Sequence, residues 1–178
     1  MLLYTGFIII PLLLYHIGVQ GKSERTRMEK MMLAMGASML ICFTVGIYVG
    51  GLFQGVFFSS IVLSIFISVF FGLFIGIPHG PLATVEGVFT GAMAGLMGAM
   101  TAEMLSIAEI RIILLFFLLL SGLGGFWSIH FWKNNEKSGK KKWIFLHILT
   151  LLYLICIAVL FVWYPPFQGQ ENIGGHHM

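Results

Sequence analysis

The stretch GVFTGAMAGLMGAMTAEML, residues 87–105, places methionine at 93, 97, 100 and 104 and glycine at 87, 91, 95 and 98. Wound as an α-helix at about 100° per residue with Glu86 as zero, Thr90 and the four methionines fall within about 40° of zero. Gly87, Gly91, Gly95 and Gly98 fall roughly 100–180° away, in a separate groove extended by Ala94 and Ala102. Such a groove lets a second helix backbone come close, which is how helices associate in lipid, where hydrophobicity supplies no drive. The stretch therefore reads as the central helix of a membrane bundle.

Composition agrees. Of 178 residues, 58% are hydrophobic and 10% charged, with 17 phenylalanines and a mean hydropathy of +0.97. A soluble domain of this size has no use for so much apolar surface. A hydrocarbon core about 30 Å thick takes roughly 20 apolar residues per helix. Short polar breaks divide the chain into six such runs: 2–20, 31–53, 59–78, 87–105, 110–132 and 143–164. The expected fold class is an all-α integral membrane protein, a six-transmembrane-helix bundle with Gly/Met-rich central helices at spans two and four. Residues 1–166 are expected to form one polytopic domain and 167–178 a short polar extracytoplasmic tail. The first run lacks a basic flank and a small-residue cleavage site, so it is expected to be a retained span.

Charge orients the bundle. Nine of the ten Lys and Arg lie in two segments, Lys22, Arg25, Arg27 and Lys30 in one and Lys133, Lys137, Lys140, Lys141 and Lys142 in the other. With six spans these two loops share a side, and the positive-inside rule makes it cytoplasmic, so both termini are expected outside. The tenth, Arg111, falls on the opposite side with Glu103 and Glu109. Trp127, Trp132, Trp143 and Trp163 fall toward the ends of the last two spans, as interfacial indoles do. The net charge of +3 is thus a topology signal, with no reason to invoke nucleic acid. The expected setting is the bacterial plasma membrane, and the first expected partner is the bilayer itself.

Span two repeats the methionine face. With Met28 as zero, Met32, Met35, Met39 and Cys42 all project within about 40°, and Met31 flanks them at about 60°. Nine of eleven methionines occur in spans two and four or, for Met28, in the turn that leads into span two. If the two faces met, thioethers and one thiol would line a staggered path across the bilayer. Thioethers and thiols are soft donors that select Cu(I) and Ag(I) over hard ions, and an uncharged ladder sits in hydrocarbon without the cost of an Asp or Lys. The competing reading is methionine as an adaptable apolar filler against glycine-rich helices. What decides between them is whether the methionine faces look at each other, at a cavity with Glu86, or at lipid; the last would remove the ligand reading.

The spacings Met35/Met39, Met93/Met97 and Met100/Met104, with Gly87/Gly91/Gly95, resemble one feature of the copper-transporter family. Its pore helix uses Met-x-x-x-Met and its packing helix Gly-x-x-x-Gly. The resemblance implies soft-cation handling by thioethers. It covers two short segments only: that family has three spans and a Met/His-rich extracellular arm, so the likeness is one of local chemistry.

Four histidines, His16, His79, His130 and His147, fall near the cytoplasmic ends of spans in this topology. With Glu86, read as the start of span four where a helix dipole favours an anion, they form a candidate ion or proton relay. None of the histidines has a ligand spacing, and each reads by itself as an interfacial ring with a hydrated tip. His176-His177-Met178 in the tail are a weak metal handle at most. No nucleophile elbow, P-loop, HExxH or dinucleotide fingerprint occurs, so no enzyme is expected.

Three functions remain open. The first is a small transporter or channel, with Cu(I) as the leading candidate cargo and no certain cofactor. Its metal pathway would be Met28, Met32, Met35, Met39, Cys42, Met93, Met97, Met100 and Met104. The second is a non-catalytic scaffold or assembly partner that docks a second copy or another membrane protein in the Gly87/Gly91/Gly95/Gly98 groove. The third is a carrier for a small organic solute, with the Pro78–Pro81 break marking a discontinuous helix.

Overall fold

The computed structural model describes Ile9, residues 26–133 and residues 140–163; side chains are described for 26–125 and, in the last helix, for 148, 150–159 and 163. Apart from Ile9, the first expected span lies outside these residues, as does the 167–178 tail. Five helices follow one another: α1 (Arg27–Leu52), α2 (Phe57–Gly76), α3 (Pro81–Met104), α4 (Ile107–Lys133) and α5 (Lys140–Trp163). They correspond to expected spans two to six. No strand occurs among the described residues. Four segments, Arg27–Leu52, Phe57–His79, Pro81–Met104 and Ile107–Gly125, are long and apolar enough to cross a membrane, so the chain is compatible with a multi-pass membrane protein.

Local signals set the helix ends. Thr26 and Glu29 form a reciprocal capping box at the start of α1, the Glu29 N–H donating to Thr26 Oγ1 at 3.4 Å and the Thr26 N–H to Glu29 Oε2 at 3.2 Å. Between α1 and α2 the chain turns within four residues, Phe53–Val56, through Gly55 at φ 97. After α2 a 3₁₀ turn, Ile77–His79, leads to Gly80 at φ 110, and Pro81 takes the first helical position of α3. Proline lacks the N–H that a first turn cannot use, which suits it to that position. α3 therefore begins at Pro81, six residues before the expected 87, and the Pro78–Pro81 break joins two separate helices rather than interrupting one. Ser106 opens α4, its N–H and hydroxyl both donating to Glu109 Oε2, at 2.9 and 2.7 Å.

Packing centres on α1, α2 and α3, with the α1–α3 interface the most extensive. Each of the three carries five buried small residues at strict four-residue spacing. On α1 they are Ala34, Ser38, Cys42, Gly46 and Gly50. On α2 they are Ser60, Ser64, Ser68, Gly72 and Gly76, and on α3 Ala83, Gly87, Gly91, Gly95 and Ala99. Rows of this spacing form the ridges of the commonest helix-packing class, in which helices cross at an angle. Small residues along such a ridge bring backbones together: Gly46 meets the Gly95 carbonyl, Gly72 meets the Gly87 carbonyl, and a methyl added to Gly91 would lie 3.0 Å from Ser68 O and 3.1 Å from Cys42 Sγ.

These pairs fix directions and levels. Cys42 lies beside Gly91, Gly46 beside Gly95 and Gly50 beside Ala99, so α1 and α3 run parallel; Gly72 beside Gly87 and Gly76 beside Ala83 make α2 antiparallel to both. Larger apolar side chains fill the other side of α1. Ile41, Val45 and Tyr48 pack with Leu114 and Leu118 of α4 and Tyr153 and Ile157 of α5, and the Phe43 and Phe117 rings lie 4.4 Å apart.

Candidate functional site

Two sets of residues with chemistry divide between the interior seam of α1, α2 and α3 and the exterior of α1 and α3. The interior set is hydroxylic. Ser60, Ser64 and Ser68 of α2 are fully buried, as is Ser38 of α1. The Ser64 hydroxyl donates to Gly95 O at 2.9 Å, and the Cys42 thiol to Ser68 O at 3.4 Å. Ser38 and Thr44 turn back onto their own helix, donating to Met35 O at 3.0 Å and Leu40 O at 2.8 Å. The Ser60 hydroxyl has no hydrogen-bond partner among the described residues, and the Ser68 side chain lies against the Cys42 thiol.

The exterior set is thioether. Met28, Met32, Met35 and Met39 on α1 and Met93, Met97, Met100 and Met104 on α3 are all exposed, from 40% at Met100 to 88% at Met104. On α3 the methionine face lies opposite the glycine face, because the buried Gly87, Gly91, Gly95 and Gly98 point into α1 and α2. Among the described residues the expected interior ladder is therefore not formed. Cys42 separates from it entirely: it is buried at 0% exposure while its supposed neighbours on α1 are outside. The cause is geometric. Cys42 sits at the margin of the projected methionine face and also on the four-residue ridge, and the crossing of α2 and α3 at its level claims it for the seam.

The levels of the two faces are complementary. With Cys42 beside Gly91 and Gly46 beside Gly95, Met39 stands level with Val88, and Met93 with Thr44. The stripe on α1 ends about where the stripe on α3 begins. A further contrast concerns chemistry. The exposed apolar residues of α2 are Phe, Val and Leu, such as Phe58, Phe66 and Phe70, and those of α4 are Ile, Phe and Leu, such as Ile112 and Phe116. Helices α2, α4 and α5 contain no methionine at all.

Of the expected relay, Glu86 and His79 fall among the described side chains. Glu86 is partly exposed on the outward face of α3. It is not at the helix start as expected, since α3 opens at Pro81 and its first turn holds no acidic residue. His79 is partly buried in the 3₁₀ turn, its Nδ1 2.9 Å from Ile75 O. His16 lies outside the described residues; His130 and His147 lie on helical backbone of α4 and α5, outside the described side chains. Among the described residues no three His, Cys, Asp or Glu gather closely enough to hold a metal ion.

At the other end of the bundle, the turns after α1 and α3 are tied together. Gln54 Nε2 donates to Leu105 O at 2.9 Å, and the Gly55 N–H to Glu103 Oε2 at 3.3 Å, while Glu103 Oε1 is buried without a partner among the described residues. The buried serine row was open to sequence reading. Its signal is the spacing 60, 64, 68, 72, 76 on α2, where serine takes the small-residue positions that glycine takes on α3. No protein family, curated protein or solved structure matches this chain.

Proposed function

We propose that this chain is a small multi-pass membrane transporter or channel for a soft cation such as Cu(I), whose thioether pathway is completed between copies of the chain. In this reading it spans the membrane six times with both termini outside, and the basic 22–30 and 133–142 segments face the cytoplasm. What supports the cation reading is the sorting of the exterior. A surface that meets lipid alone has no reason to differ from helix to helix, yet α2, α4 and α5 carry only Phe, Leu, Ile, Val and Trp as exposed large apolar side chains, while α1 and α3 add eight exposed methionines, beside Leu82, Val85 and Phe89 at the start of α3. The thioethers are reachable from outside the chain rather than consumed as core filler, and their two stripes follow one another in depth. Neutral sulfur donors spaced a turn apart can pass a soft cation from pair to pair without burying a counter-charge.

The test is Ag(I) binding by the full-length protein in lipid nanodiscs. Replacing Met93, Met97, Met100 and Met104 together by leucine is expected to lower affinity at least tenfold while leaving the fold intact, because Leu and Met exchange with little change of volume. Equal binding by the leucine variant would sink the proposal.

The same outward faces favour a second reading, a scaffold that docks another membrane protein. Its original groove, Gly87, Gly91, Gly95 and Gly98, is filled by α1 and α2 of the same chain, which leaves the methionine faces as the docking surface. A complex that survives the leucine variant, with no Ag(I) bound by either form, favours the scaffold.

A further inference from the structure

Helix α1 is enclosed along one half and open along the other. From Ile41 to Gly51 every residue except Phe43 is buried, whereas Met28, Met32, Met35, Gly36 and Met39 are exposed. The path of α3 is the cause. Near its start α3 lies on α2, with Ala83 and Thr84 against Gly76 and Gly87 against Gly72; past Gly91 it crosses onto α1, with Gly95 against Gly46 and Ala99 and Ala102 against Gly50. Wound at about 100° per residue, Gly46 and Gly50 continue the face that carries the four α1 methionines. Helix α3 therefore covers that face from Gly46 onward and leaves it bare before. The bare sector, from Met35 round to Gly36, is about 100° wide, which is the width of face that a helix turns toward a packed neighbour. Helices α2 and α4 pack on other sides of α1.

We propose that residues 2–20 of the same chain form a helix that lies antiparallel on α1 and covers this bare sector. The inference goes beyond the cation reading, does not depend on it, and leaves the α3 methionine face as the one open to a second copy.

The connection favours this occupant. The apolar run 2–20 is joined to Arg27 by six residues, 21–26, and connections of about two to eight residues join antiparallel neighbours in helix bundles. Lys22, Glu24 and Arg25 lie in that connection and keep it out of hydrocarbon, so the run turns back beside the start of α1. Among the described residues, the bare sector is the side of α1 left for it. The described residue of the run, Ile9, is helical.

Proline placement agrees. With Gln20 level with Arg27, antiparallel pairing sets Pro11 level with Gly36 and Phe7 level with Leu40. A proline inside a helix removes the bond to the carbonyl four residues earlier, here that of Phe7, and bends the helix over that turn. The bend falls just before the level of Cys42, where α3 reaches α1 at Gly91. Residues 12–20 can thus follow the α1 methionines, and residues 2–10 pass outside α3 instead of colliding with it.

The experiment is disulfide trapping in the full chain in native membranes, in a Cys42→Ser/Cys156→Ser background with iodine as oxidant. Met35→Cys is combined in turn with Leu12→Cys, Leu13→Cys and Leu14→Cys. Three consecutive positions stand about 100° apart, so one of them faces α1 whatever the rotation of the run. Phe74→Cys on α2 and Leu123→Cys on α4 replace Met35→Cys as controls. Their side chains are 39% and 42% exposed against 44% for Met35, so random collision would treat all three alike, and none of the three belongs to the packed seam. A bond within one chain, identified by mass spectrometry of the linked peptides, is expected for at least one Met35→Cys pair and for none of the controls. Equal bonding to Phe74→Cys or Leu123→Cys overturns the proposal, as does the absence of an intrachain bond in all three Met35→Cys pairs. Met35→Cys bonds that form only between chains overturn it too, because a second copy then occupies the sector.

Discussion

Gly95 has no room for a side chain. A methyl placed there runs into the Ser68 side chain and lies 3.2 Å from Ser64 O. Overpacking a closed interface typically costs about 1–3 kcal/mol, so Gly95→Ala is expected to lower the thermal unfolding temperature in detergent measurably. Gly36 on α1 is the internal comparison: it is exposed with nothing within 4 Å of an added methyl, and Gly36→Ala should change stability by less than about 1 kcal/mol. Equal effects at the two positions would contradict the seam. At this scale the reading of the glycines followed from sequence, because a period can be projected without knowing the partner. Cys42 could not be assigned the same way. Its projected angle puts it at the margin of the methionine face and on the small-residue ridge at once, and only the position of α2 decides which claims it.

Helix ends show what hydropathy conceals. The expected start of span four, at 87, follows the charge of Glu86; the observed start at Pro81 follows backbone geometry. Gly80, at φ 110 and ψ 170, occupies a region open almost only to glycine, where another residue costs about 1–3 kcal/mol. Gly80→Ala is accordingly expected to destabilise the chain by about that much, with denaturation monitored by circular dichroism, although a methyl there would touch nothing within 4 Å. A loss confined to the noise would show that the turn relaxes without strain. With α3 opening at Pro81, Glu86 lies in the body of the helix rather than in its first turn, so its carboxylate shares the outward methionine face instead of capping the helix. The start signals, Thr26 with Glu29 and Gly80 with Pro81, are legible in the sequence, but an average over about 20 residues smooths them away.

For the molecule as a whole, the sequence reading identified a membrane-compatible helical protein, the importance of α1 and α3 and the packed glycine face of α3, and it left open where the methionine faces look. Angular position along one helix is visible in a sequence, whereas the direction of the bundle axis depends on all the helices at once. The resulting exterior has two compositions, and that difference can be tested. If the methionine faces meet in a second copy, single cysteines at Met97 or Met100, in the background lacking Cys42 and Cys156, should cross-link chains in native membranes. A cysteine at Phe66, 76% exposed on α2, should not. Equal cross-linking at all three positions would argue for random collision and against a shared interface.

The four-residue ridges also determine where the chain tolerates a change of length. One residue inserted between Ser68 and Gly72 turns everything beyond it by about 100° and carries Gly72 and Gly76 out of the seam, whereas four inserted residues leave the ridge in phase. Deletions and insertions that survive in α2 should therefore come in multiples of four, while the Phe53–Val56 turn can vary residue by residue.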